Sequence, residues 1–86
     1  MDNNRFNRPV TVKSASAGEN LVLWTTREAN DFLLNRWPGK RGEKHREALQ
    51  ACSDALGGNK PAITARRAFI AAAREASLFV SDKAPV

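Results

Sequence analysis

Tyrosine is missing from this chain, and cysteine, histidine and methionine occur once each. A single cysteine cannot close an internal disulfide, which points to a reducing cytoplasm. One cysteine and one histidine cannot complete a metal site within the chain. No apolar run approaches the roughly 18 residues of a membrane span. The opening MDNNRFNRPV has no apolar core that could serve as a signal peptide. The carboxylates offer no acid–base pair. Glu28 belongs to a helix cap, Glu43 and Glu47 to a charged turn, and Glu75 to an Arg-rich face. None stands in an apolar setting that would split two pKa values. No serine has a histidine at a recognisable spacing. Composition and spacing therefore supply no catalytic constellation, no cofactor motif and no metal site.

What is present describes a small soluble domain. The 86 residues are 42% hydrophobic and 27% charged, enough for one domain and too ordered in composition for a disordered tail. A chain of this length buries only about 60% of its unfolded surface, so its core is thin and a partner would help it. Fourteen Lys and Arg against nine Asp and Glu give a net charge of +5, a weak bias toward anionic partners.

Hydrophobic periodicity divides the chain into six elements. Residues 1–8 are polar and Asn-rich and read as a disordered N-terminal segment. PVTVKS alternates as a half-buried strand does. ASAGE is a turn in which Gly18 can take positive φ, and NLVLWTT is a second strand, apolar on both faces and so the better buried. Together 9–14 and 20–25 form a hairpin that something must cover. TTRE is a capping box, with Thr25 as the cap and Glu28 reaching back. Ala29, Phe32, Leu33, Arg36 and Trp37 follow at helical spacing, and Pro38 ends that helix at Trp37. A second helix runs from about Gly42 to Leu56 and closes on Gly57-Gly58. Pro61 opens a third, from about Lys60 to Ser77. LFVS is a short final strand. The order β-β-α-α-α-β defines an α+β domain over 9–81, with 82–86 as a disordered tail. Its expected core includes Phe32, Leu33, Trp37, Leu49, Cys52, Leu56, Phe69 and Ala72.

The stretch RWPGKRGEKHREALQAC, from Arg36 to Cys52, concentrates the chemistry. His45 and Cys52 share a helical stripe but lie about 10.5 Å apart along the axis, beyond hydrogen-bond reach and beyond joint ligation of one ion. Cys52 reads as a small core residue, and His45 as a stripe-edge ring with one nitrogen in water. Arg36, Lys40, Arg41, Lys44 and Arg46 surround a helix start, where anions are favoured. The Walker spacing is missing and a helix, not a strand, precedes the turn, so this is no nucleotide loop. What remains is a candidate anion-binding cluster, offset by Glu43 and Glu47. Nucleic-acid recognition finds less support in the third helix. Arg66, Arg67 and Arg74 are its cations, but alanine and isoleucine stand where base-reading polar residues would. Trp24 and Trp37 lie on apolar faces and read as core rather than as stacking platforms.

EANDFLLNRWPGKRGEKHREALQACSDALGG, followed by ARRAFIAAAREASLFV, resembles the small domain-of-unknown-function family 982 of rhizobia and their relatives. The match rests on Glu28, Ala29, Trp37, Pro38, Gly42, His45, Ala48, Cys52, Gly57, Arg67 to Phe69, and Ala73 to Ala76, and spans about Pro9 to Val80. Ser77 departs from it, standing where the family pattern has glycine between helix and strand. The resemblance implies a compact α+β module and carries no activity, cofactor or functional residue.

The third helix adds an expectation of its own. Ala62, Ala65, Ala68, Phe69, Ala72, Ala73 and Ala76 form one arc, while Ile63 and Ile70 make a second apolar ridge outside it. Small residues let helices approach closely, so Ile63 and Ile70, with the terminal LFV strand, are candidates for a homodimer contact. The reading is a small non-catalytic cytoplasmic interaction or regulatory module, with weak nucleic-acid or polyanion binding through the basic turn as the alternative.

Overall fold

The computed structural model describes residues 4–14 and 19–82. Its elements are β1 (Arg5–Lys13), β2 (Asn20–Thr25), α1 (Thr26–Asp31), a π turn over Phe32–Arg36, α2 (Glu43–Leu56), α3 (Ala62–Glu75) and β3 (Phe79–Ser81). The expected α+β order is present, with an antiparallel sheet ordered β2-β1-β3. The molecule is only 18 Å through its thinnest dimension, a sheet on one layer of helices.

Three expectations about the strands need correction. Arg5 to Arg8, assigned to a disordered segment 1–8, belong to β1, and Phe6 is buried in the core. The buried Phe6, the pairing of Arg5 with Thr25 and a hydrogen bond from Thr26 N to Asn4 O hold this polar run. The register shifts between Arg5 and Val10, which accommodates Pro9, a residue with no N–H for a ladder. The better-buried strand is β1 rather than β2, because β3 pairs with its other side and leaves β2 at the edge. Trp24, expected in the core, is 38% exposed on that edge strand, and the Arg5 guanidinium lies 5.7 Å from its ring centre. At the other terminus, Asp82 accepts a hydrogen bond from Arg66 through its carbonyl, so it is held rather than free. The expectations for 1–3, for the Gly18 turn and for 83–86 lie outside the described residues.

The core centres on Phe32, Trp37 and Phe69, packed edge to face at 5.6, 6.0 and 6.2 Å between ring centres. Val10, Val12, Leu33, Ala48, Cys52, Ala65 and Ala72 close around them. Leu49 packs at the margin of this cluster and Leu56 is half-buried, since α2 offers its small residues inward. Arg66 is buried too, its Nε donating to the Arg8 carbonyl and its NH2 group to that of Asp82. It ties β1 to the chain after β3, a role its place among basic helix residues did not suggest.

Both long helices end in the same motif. After α2, Gly58 has φ +84°, its N–H goes to Ala55 O, and the Asn59 N–H goes to Asp54 O. After α3, Ser77 takes φ +61°, its N–H goes to Arg74 O, and the Leu78 N–H goes to Ala73 O. These are Schellman caps, which require a left-handed residue. At Ser77 a serine takes the left-handed position that glycine usually fills.

Candidate functional site

The basic stretch between α1 and α2 is built as a joint. Thr25 caps α1 through the expected box: Glu28 N donates to Thr25 Oγ1 at 3.1 Å, and Thr25 N to Glu28 Oε1 at 3.2 Å. At the far end Pro38 has no N–H. It removes the donor that an α-helix would aim at Leu34 and that a π turn would aim at Leu33. Both carbonyls are satisfied from further along the chain. His45 Nε2 donates to Leu33 O at 2.8 Å, and an Arg41 NH2 group donates to Leu34 O at 3.0 Å. The Trp37 indole N–H closes the turn on Lys40 O at 3.0 Å. The His45 ring, expected to keep one nitrogen wet, is buried against Trp37 with ring centres 5.1 Å apart.

The opposite pole is also occupied by the chain itself. A Cβ built on Gly42, the cap of α2, would stand 3.5 Å from Glu75 Oε1. A carboxylate therefore already lies at the helix end where an anion would be favoured. One on Gly39 would meet Ala76 Cβ at 3.1 Å, so the joint rests directly on the end of α3.

The five cations of the candidate cluster do not converge. Arg41 is committed to Leu34, and Lys44 pairs with Glu47 at 3.6 Å. Lys40 borders a depression with Glu43 and Glu75, Arg36 lines a groove beside β2, and Arg46 is exposed on α2. Cys52 is fully buried, and burial pushes its thiol from 9.0 up to about 12, far from the thiolate a reactive site needs. Among the described residues, no group of His, Cys, Asp and Glu is placed to hold a metal ion, and no helix is long and apolar enough to cross a membrane.

The model for the family described as a protein of unknown function (DUF982) matches residues 8–80. This chain belongs to that family. The DUF982 chain is also similar to an Agrobacterium tumefaciens protein solved by NMR. The two are 36% identical, with 99% of this chain and 84% of that one covered and a TM-score of 0.75. No curated protein matches it. Trp37, Pro38, His45 and Cys52, on which the sequence resemblance rests, lie in the joint and the core under it.

The groove beside β2 escaped the sequence reading. It holds about 440 Å³ and is lined by Leu21, Val22 and Leu23 of β2, by Arg27, Glu28 and Asp31 of α1, and by Phe32 and Arg36 of the π turn. No β1 residue lines it, which places it on the outer flank of the sheet. Hydrogen bonds in an antiparallel pair alternate sides. Ser14 N donates to Glu19 O, while Lys13 N turns the other way to Leu78 O. With Val12 opposite Leu21 and Val10 opposite Leu23, the backbone groups of Asn20 and Val22 point outward. Glu28 Oε1 takes the Trp24 N–H at 2.7 Å. Among the described residues, nothing takes those of Asn20 and Val22. The signal for such an edge was strand order, which no local pattern encodes.

Proposed function

We propose that this protein is a small, non-catalytic cytoplasmic interaction module that takes an extended segment of a protein partner along the outer edge of β2. The observation that carries the reading is the pair of open backbone positions at Asn20 and Val22 beside a groove of about 440 Å³. An exposed edge templates a further strand, the backbone supplying affinity and the adjoining groove selecting side chains. Selection of random short peptides displayed against the intact protein tests it. Bound peptides should perturb the amides of β2 and α1. Binders that map elsewhere, or none, would contradict the reading.

Self-association through α3 is a second part of the same reading, favoured by the exposure of Ile63 and of Val80, each 42%. Ile70, one heptad along, is half-buried and packs partly against the core, and the Arg74 guanidinium lies 4.5 Å from the Phe79 ring centre. Weak polyanion binding is the alternative. The exposed Trp24 favours it, and the dispersal of Arg36, Lys40, Arg41, Lys44 and Arg46 counts against it. Titration of labelled DNA or RNA at two salt concentrations separates the two, since held phosphates give a steep salt slope. Lys40→Glu and Arg46→Glu are the variants to use, because Arg41→Glu would also uncap Leu34.

A further inference from the structure

The groove beside β2 carries charged side chains of both signs. Its two carboxylates keep their charge but are held by their own chain: Glu28 accepts from the Trp24 and Thr25 N–H groups, and Asp31 accepts from Asn35. Its two cations, Arg27 and Arg36, are exposed and carry no ion pair among the described residues. The π turn brings them nearer to one face. Nine residues apart on an unbroken α-helix they would face about 180° away from each other, at ~100° per residue. The wider i→i+5 turn over Phe32–Arg36 swings Arg36 back toward the face that carries Arg27.

Resting on the interaction reading above, we infer that the groove takes an acidic extended segment in which two carboxylates bracket one apolar residue. Arg27 and Arg36 stand at the two ends of the segment formed by α1 and the π turn, at most roughly 13 Å apart along its axis at the α-helical rise of ~1.5 Å. A strand covers the same distance in about four residues, at ~3.3 Å each. Alternate side chains of a strand share a face, so two acids four apart turn the same way as the residue midway between them. That central side chain lies over the half-buried Leu21, with Leu23 and Phe32 forming the floor beneath it, while each carboxylate faces a guanidinium able to bind it in a two-pronged manner. The net charge of +5 adds a long-range attraction of the same sign.

The peptide selection distinguishes this inference from the reading it rests on. Binders mapped to β2 and enriched in acids four apart are the expected result. A synthetic Glu-Thr-Val-Thr-Glu peptide should then bind more tightly than Lys-Thr-Val-Thr-Lys, and less tightly as salt rises. Arg27→Glu with Arg36→Glu should weaken the acidic peptide about tenfold or more and improve the lysine peptide. Arg27→Gln with Arg36→Gln, which adds no repulsion, should fall between. Binders that map to β2 without acidic enrichment, or that ignore both pairs of substitutions, overturn the acidic partner and leave the interaction module standing. Binders on another surface, or no binders, overturn both.

Discussion

His45 and Leu33 stand twelve residues apart in sequence and 2.8 Å apart in space, the ring Nε2 donating to the backbone carbonyl. The single histidine, conspicuous in a search for chemistry, serves as the missing donor of a helix that proline ends. A buried acceptor left without a partner costs about 1–3 kcal/mol. His45→Phe keeps a ring against Trp37 and removes the donor, so it should lose at least that much in urea unfolding. A variant with the parent's midpoint would show that Leu33 needs no cap from His45.

Ser77 adopts φ +61° as the left-handed residue of the α3 cap. A left-handed residue other than glycine costs roughly 1–2 kcal/mol, and glycine returns part of this to chain entropy. Ser77→Gly should therefore stabilise the fold by about 1 kcal/mol, near 4–8 °C in Tm for a domain of this size. Ser77→Val should do the reverse. A glycine variant that melts lower would mean the serine side chain holds that corner.

Burial raises the Cys52 thiol from 9.0 to about 12. A group whose folded pKa lies above its unfolded value contributes its full stability below the unfolded value and loses it as pH rises through the folded one. The unfolded chain releases this proton first, so stability should decline between about pH 9 and pH 12. Cys52→Ala should remove that part of the slope, at the cost of a small cavity. An unchanged slope would assign the decline to other groups. At neutral pH the native thiol should resist alkylation until the protein unfolds; prompt reaction would contradict its burial.

Ile63, Arg67, Ile70 and Arg74 recur at helical spacing along α3. A two-fold pairing through Ile63 and Ile70 brings four guanidinium groups close together. The proposed dimer should therefore tighten as salt screens them, opposite in sign to polyanion binding. Light scattering at micromolar concentration should give the mass of two chains, falling to one for Ile70→Glu. One chain at every salt concentration would eliminate self-association.

The sequence made local chemistry legible and left spatial order hidden. The capping box at Thr25, the stop at Pro38, the Gly57-Gly58 end and the packing of Phe32, Leu33 and Phe69 are each written in neighbouring residues. Strand order is not, and β2 read as the buried strand because nothing in NLVLWTT says that β3 will return to the far side of β1. The groove was missed for the same reason, together with the π turn, whose i→i+5 step leaves no mark on a helical apolar pattern. The cluster from Arg36 to Arg46 misled in the other direction. Cations dense in sequence are spread in space over a helix end, an ion pair, a groove and open solvent.

Two amides of β2 offer the most direct test of a docking edge along that strand. Trp24 N–H is held by Glu28, whereas Val22 N–H has no partner among the described residues. In the free protein, hydrogen exchange followed by NMR should be fast at Val22 and slower at Trp24. On saturation with a selected peptide, Val22 should slow by about tenfold or more, as a newly hydrogen-bonded strand amide does, and Trp24 should change little. A Val22 amide that exchanges at the same rate with and without bound peptide would contradict strand addition at this edge.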